Sequence, residues 1–268
     1  MQAIDVDICG EAERLAAAVR EAGRLALSMF RAPMQSWTKG PTSSPVCDAD
    51  IAVDKLLRQR LTADSAIAWL SEESADDPSR LTARYVWVID PIDGTRGYIE
   101  GLTDWAVSAA LVENGRPVAA CLYAPVAEEF FVANAGAGAT LNGAPLTATT
   151  GAALEHARIA GPKNLLERLT AVAPPFDVMP RARSLALRLA RVAQGVFDAA
   201  IAGGNSHDWD LAAADLLVHE AGGALTPFGG GTVIYNRLVP RHGMLVAAGR
   251  DRHAALIKLL GDGRLASS

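Results

Sequence analysis

The stretch VWVIDPIDGTRGY, residues 86–98, sets Asp90 and Asp93 three positions apart behind a run of β-formers, with Pro91 between them. A strand ending at Asp90 delivers its carboxylate to the rim of a sheet, and the fixed φ of Pro91 then directs the chain away. Asp93 follows within a single turn, so both carboxylates can face one point. Ile92 turns its carbonyl toward the same point, and Gly94 has no side chain to obstruct a ligand. The Thr95 N–H opens a short helix, a setting that holds phosphate oxygens well. Hard carboxylates, a carbonyl and bare N–H groups together make a Mg²⁺ site facing a phosphate. The same letters also suit an Asp-Pro turn in which Asp93 caps the next helix. Acids elsewhere in the chain must decide.

Two other segments answer. WLSEESADD, residues 69–77, places Glu72 and Glu73 just after an apolar strand, although a solvated acidic loop reads the same way. HDWDLAAADLLVHEAGG, residues 207–223, puts Asp210 at the start of an alanine-rich helix ending at Gly222, a suitable C′ position. Pairing of Asp210 with the helix dipole is the plain alternative. His207 and Asp208 are expected in a loop, and Asp215 on the helix surface.

Around these motifs the periodicity predicts an amphipathic helix over 11–30, then a proline-broken loop over 31–46. A second helix starts at Asp48, a candidate N-cap, with Ile51, Leu56, Leu57 and Leu61 apolar. Strands follow at YVWVID, WAVSAALVE, PVAACLYAP and EEFFVANA, the second and third joined by Asn114-Gly115, a strong hairpin signal. A tight turn in ATLNGAPLTAT marks a candidate domain boundary near residue 140, dividing the chain into an α+β half (1–140) and an α/β half (141–268). Beyond it helical patterns alternate with short strands, giving two α/β layers.

With 50% hydrophobic and 21% charged residues, the chain has the composition of a folded globular protein. A net charge of −5 provides no footprint for a nucleic-acid polymer or an anionic membrane. Three scattered cysteines, Cys9, Cys47 and Cys121, argue against a disulfide framework and a structural zinc site. No apolar run approaches ~18 residues, and acids stand where a signal peptide would carry bases, so a cytoplasmic, unanchored protein is expected.

The set SEES, DPIDGT and WDLAAAD…EAGG, in this order and preceded by SPVCDADIAVDKLL, resembles the inositol monophosphatase superfamily of Mg²⁺-dependent, lithium-sensitive phosphatases. The resemblance spans about residues 11–250. It implies a layered α/β/α/β/α sandwich and hydrolysis of a small phosphorylated metabolite by metal-activated water, with two or three Mg²⁺ ions. By the same resemblance Glu72, Asp90 and the Ile92 carbonyl match ligands of a first metal, and Asp90, Asp93 and Asp210 those of a second. Asp50 and Thr95 match the pair that orients and deprotonates the attacking water. Gly94 and Thr95 match the phosphate cradle, with Asp93 and Arg96 expected beside them as substrate contacts, while Glu73 and Lys39 match residues that support the site. Relatives occur as monomers and as homodimers, so either state is compatible.

For the substrate, TRGY after DPIDG is closer to bisphosphate nucleotidases and some histidinol-phosphate phosphatases than to the inositol branch. That branch also tends to keep a glutamate six residues before the Trp of WD, where this chain has Gly203. The expectation is therefore a 3′(2′),5′-bisphosphate nucleotidase acting on phosphoadenosine phosphate. Inositol monophosphatase and histidinol-phosphate phosphatase are the alternatives. Arg96, Arg181 and Arg183 are candidates to meet a second phosphate, and Tyr98 to pack near a base. A haloacid-dehalogenase chemistry would need a D-x-D after a buried strand. None of Asp5-Val-Asp7, Asp48-Ala-Asp50 and Asp208-Trp-Asp210 has one, and no cysteine has the arginine of a C-x₅-R loop. A non-catalytic metabolite-binding regulator is the alternative of another class, and loss of Asp50, Thr95 or a metal carboxylate would mark it.

Overall fold

A computed structural model describes residues 6–39, 44–62, 67–180 and 182–261. Helix α1 (Ile8–Met29) begins where Asp7 accepts a hydrogen bond from the Cys9 N–H at 3.2 Å. The residues expected to form a loop carry an antiparallel ribbon instead, β1 (Ser36–Lys39) paired with β2 (Ser44–Cys47). Pro45, opposite Thr38, lies in a two-stranded ribbon in which each strand is an edge, the place where a sheet tolerates proline. Then come α2 (Asp48–Thr62), β3 (Ala68–Ser71), β4 (Tyr85–Asp93), α3 (Thr95–Ile99), β5 (Ala106–Glu113), β6 (Arg116–Ala124), β7 (Glu129–Asn134), β8 (Gly138–Leu141) and β9 (Ala144–Pro145). The remainder is β10 (Arg158–Ala160), α4 (Lys163–Thr170), β11 (Asp177–Val178), α5 (Leu185–Ala193), β12 (Ala199–Ala202), β13 (Ser206–His207), α6 (Asp208–Glu220), β14 (Gly223–Pro227), β15 (Arg241–His242), β16 (Leu245–Gly249) and α7 (Arg250–Gly261).

Strands β3 to β9 form a seven-stranded sheet in sequence order, antiparallel except for β3 beside β4. A second sheet runs β11-β10-β12-β16-β14, and β13 pairs with β15 apart from both. The Asn-Gly signals act as predicted: Asn114 and Gly115 take φ of 48° and 80° in a two-residue turn, and Asn142 and Gly143 do the same at 50° and 84°.

Alternation along the strands dictates the layering. Trp87, Ile89, Val107, Ala109 and Leu111 pack against α1 and α2 in one core. Their neighbours Val86, Val88, Ala106, Ala110 and Val112 turn to the opposite face and meet α5 and α6. The second sheet divides likewise, Ala200, Ala202 and Ala247 joining that central core while Ile201, Val246 and Ala248 pack against α4 and α7. The result is helix, sheet, helix, sheet, helix. The central helix α6 is buried almost all round, and its small residues allow both sheets to approach closely. Asp215, expected on the helix surface, is therefore buried at 2% exposure, where it accepts from Tyr235 Oη at 3.0 Å.

Close approach also explains Gly249 at the end of β16. A Cβ there would collide with the Thr149 carbonyl oxygen, a backbone atom. Gly249→Ala is expected to lower stability by about 1–3 kcal/mol, read as a reduced midpoint of thermal unfolding.

Candidate active site

Strand β4 does not stop at Asp90. It runs on through Pro91 to Asp93, with Asp90 opposite Ser108 and Asp93 opposite Ala106. Three steps on β4 against two on β5 make a bulge, which is where a proline is tolerated within a sheet. The bulge turns the Asp90 side chain into the space beside Glu72 and Asp210. Glu72, Asp90 and Asp210 each bring a carboxylate oxygen within 4.8 Å of the others, from the loop after β3, from β4 and from α6.

Each acid is held by local devices. Asp50 and Asp210 are the third residues of α2 and α6, and each accepts from the N–H of its own N-cap: Cys47 N to Asp50 Oδ2 at 2.8 Å, and His207 N to Asp210 Oδ2 at 2.7 Å. This acceptance by the third residue, the side-chain half of a capping box, fixes a carboxylate rotamer at each helix start. The first residues, Asp48 and Asp208, reach outward instead, accepting from Gln35 N at 2.8 Å and from Asn236 N at 2.6 Å. Asp48 thus begins α2 rather than capping it, and Asp208, expected in a loop, is 1% exposed at the start of α6. The D-x-D pairs of this chain are helix-start devices; Asp5 of the first pair lies outside the described residues.

The Glu72 loop is pinned from two sides, by Asp54 and by Lys39. Ser71 and Ser74 donate to the two oxygens of Asp54 on α2, at 2.5 and 2.7 Å. Lys39 donates to the Glu72 carbonyl at 2.9 Å and to Glu73 at 2.5 Å, and lies 3.6 Å from the Glu72 carboxylate. Lys39 and Glu73 therefore support the loop. Asp54 and the two serines are contributors that the motif reading passed over, since SEES draws attention to its acids.

Asp93 sits beside this group with its Oδ2 at the start of α5, accepting from Ser184 Oγ at 2.5 Å and Ala186 N at 2.6 Å. Gly94, at φ +96°, is needed for this junction: a Cβ there would lie 3.2 Å from Ser184 N and 3.3 Å from the Asp104 carbonyl oxygen. Thr95 Oγ1 lies 3.0 Å from Asp50 Oδ1 and 2.8 Å from the Ile92 carbonyl, and its single proton serves one of them at a time. Cys47 Sγ, 2.8 Å from Asp50 Oδ2, remains a thiol, its pKa pushed up to about 12 by burial and then by Asp50.

Other sequence candidates lie elsewhere. Tyr98 is 1% exposed, donates to the Ala26 carbonyl at 2.7 Å, and packs against Phe30 and Trp105, because α3 turns that side chain into the core under α1. It cannot meet a base. Arg96 is exposed and borders a depression with Trp37, Pro45 and Ile99. Arg183 is held by Glu100 at 3.0 Å, and Arg181 lies outside the described residues.

The electrostatics call for a cation. Burial pushes Asp90 well above the usual carboxylate range, and Glu72, Asp93 and Asp210 push it further. Glu72 is lifted to about 8, chiefly by burial, with Lys39 opposing and Asp210 adding. Asp93 is lifted to about 7 by burial and then by Asp210, against its hydrogen bonds from α5. Asp90 Oδ1 is buried with no hydrogen-bond partner among the described residues. Crowded carboxylates, an orphaned oxygen and an all-oxygen donor set fit a hard divalent ion.

Comparison with known proteins identifies the family. Two Nus factor SuhB proteins, from Pseudomonas aeruginosa and Xylella fastidiosa, are 39% and 38% identical to the chain. Each of these matches takes in 55% of this chain, and 58% and 56% of those proteins' own lengths. The Histidinol-phosphatase of Mycobacterium tuberculosis is 34% identical over 74% of this chain and 83% of its own. A crystal structure of extragenic suppressor protein suhB from Bartonella henselae superposes with a TM-score of 0.81 at 29% identity, covering 94% of this chain and 98% of that one. The model of the inositol monophosphatase family matches residues 11–264, which include all the carboxylates gathered here. A fold and a full-length match pointing the same way place this chain in the inositol monophosphatase family.

Proposed function

We propose that this protein is a Mg²⁺-dependent phosphomonoesterase acting on a small phosphorylated metabolite. The convergence of Glu72, Asp90 and Asp210 within 4.8 Å carries the reading. Glu72, Asp90, Asp93, Asp210 and the Ile92 carbonyl are the oxygens that would hold two or three Mg²⁺ ions. When bound, Mg²⁺ supplies positive charge against an ester bearing about two negative charges and acidifies water.

The chain's own groups do the rest. With the Thr95 proton directed at Asp50 Oδ1, the Thr95 oxygen is free to accept from the attacking water, and Asp50 draws a proton off through it. Burial holds the Asp50 carboxyl above its ordinary range, against hydrogen bonds from Cys47 and Thr95. That basicity suits a general base. No covalent phosphoenzyme is required. Asp50 and Thr95 are both present and in contact, which favours an enzyme over a metabolite-binding regulator.

Among substrates, histidinol phosphate and inositol 1-phosphate rank ahead of phosphoadenosine phosphate. The nucleotidase expectation rests on TRGY and on Gly203; the base and second-phosphate contacts suggested beside it find no support, since Tyr98 lies in the core and Arg183 is paired with Glu100. Proteins named Histidinol-phosphatase and Inositol-1-monophosphatase match this chain about equally, at 34% and 33% identity, so both monoesters lead the panel. The test is turnover of histidinol phosphate, inositol 1-phosphate, phosphoadenosine phosphate and fructose 1,6-bisphosphate, with MgCl₂, with a chelator, and with millimolar LiCl. Metal-dependent, lithium-inhibited hydrolysis with the highest kcat/KM on a monoester is expected. A preference for phosphoadenosine phosphate would restore the nucleotidase reading, and hydrolysis unaffected by the chelator would remove the metal from it.

A further inference from the structure

Glu72 and Asp210 come from elements far apart in the chain, and capping at each end does not set their separation. One polar connection joins the segments that carry them, centred on the buried Arg80 and Asp208. Arg80, 1% exposed in the short turn Pro78–Thr82 after the Glu72 loop, donates to both oxygens of Asp76 at 2.6 and 2.9 Å. Its remaining nitrogen donates to Asn236 Oδ1 at 2.7 Å and the Arg237 carbonyl at 3.1 Å, while Asn236 Nδ2 donates back to the Arg80 carbonyl at 2.9 Å. Asn236 then passes its own N–H to Asp208 Oδ2, at 2.6 Å, and Asp208 Oδ1 lies 2.7 Å from His242 Nε2. Asp208 is the first residue of α6, two before Asp210.

We propose that Arg80 and Asn236 form a strut that sets the distance between Glu72 and Asp210, and so act as positioning residues for the cation site. The proposal rests on the reading that these carboxylates hold a divalent ion. Every member of the strut is satisfied and several of its bonds are charge-assisted, which makes such a connection short and stiff. Asn236 holds φ +58°, a left-handed position that asparagine tolerates, so its side chain and its N–H can point to different partners. Groups that orient metal ligands from behind typically contribute about 10–100-fold in metal affinity.

Isothermal titration of the metal-free protein with MgCl₂ alone tests it. Asn236→Gly keeps the backbone conformation and the N–H to Asp208 but removes both side-chain bonds to Arg80, leaving only the one to the Arg237 carbonyl. Its Mg²⁺ dissociation constant should rise about tenfold. Arg80→Ala should do the same, and the double variant should be no weaker than the weaker single, because both cut one connection. Should Arg80→Ala fail to fold, Asn236→Gly alone decides. A lowered melting temperature with wild-type Mg²⁺ affinity would make the strut a plain structural clamp and overturn the proposal. Absence of Mg²⁺ binding by the wild type would instead overturn the cation-site reading itself, before any variant is compared.

Discussion

Asp90→Asn is expected to abolish most turnover, by about 10³-fold or more, equivalent to at least about 4 kcal/mol of barrier, while the metal-free protein becomes more heat-stable. The two effects share one cause. Asp90 is fully enclosed, its Oδ1 has no hydrogen-bond partner among the described residues, and burial and the neighbouring acids all disfavour its charge. An amide of the same shape carries no charge and can donate to Glu72 or Asp210. Relief of one unsatisfied buried group is about 1–3 kcal/mol, and each kcal/mol moves the midpoint by about 2–4 °C in a chain of this size. MgCl₂ should raise the melting temperature of the wild type, as any ligand of the native state does, and should do so far less for Asp90→Asn. If the variant melts lower than metal-free wild type, or keeps its turnover, the cluster is not a cation site.

Thr95→Val is the second large effect. It should lower kcat by about 10²–10⁴-fold, the usual contribution of positioned proton transfer, and leave Mg²⁺ binding measured by calorimetry close to wild type. Valine keeps the shape but removes the oxygen that stands between Asp50 and the water. Thr95→Ser retains that oxygen at 3.0 Å from Asp50 Oδ1 and should stay within about tenfold of wild-type kcat, a factor equal to about 1.4 kcal/mol. A Thr95→Val enzyme with normal kcat would remove the proton path described here, whereas loss of Mg²⁺ binding would show that Thr95 acts by holding the Ile92 carbonyl.

The two predictions draw on features of unequal visibility in the sequence. Asp90 and Asp93 were legible because three residues of spacing after a β-run are a local matter. The capping roles of Asp50 and Asp210 are equally local, although the repeated x-D-x-D at two helix starts showed its purpose only in three dimensions. Tyr98 misled because an aromatic residue four positions past the Gly94 turn suits either a ligand or a core, and only packing under α1 decides. Asp208 and Asp215 misled for a related reason: acids near an alanine-rich helix normally face water, but α6 lies between two sheets and is buried over Leu211–Val218 and at Asp208.

What the amino-acid order determined alone is the set of short-range devices: hairpin turns at Asn-Gly, helix starts held by their third-residue acids, and the alternation that sorts side chains to opposite faces of each sheet. These depend on neighbours a few positions apart, where backbone geometry leaves few choices. What only the tertiary structure decided is the meeting of Glu72, Asp90 and Asp210 and the bracing behind it, such as Arg80 on Asn236 across 156 positions. Contacts of that range exist because five layers pack in one particular register, and no local preference encodes which buried charge will face which.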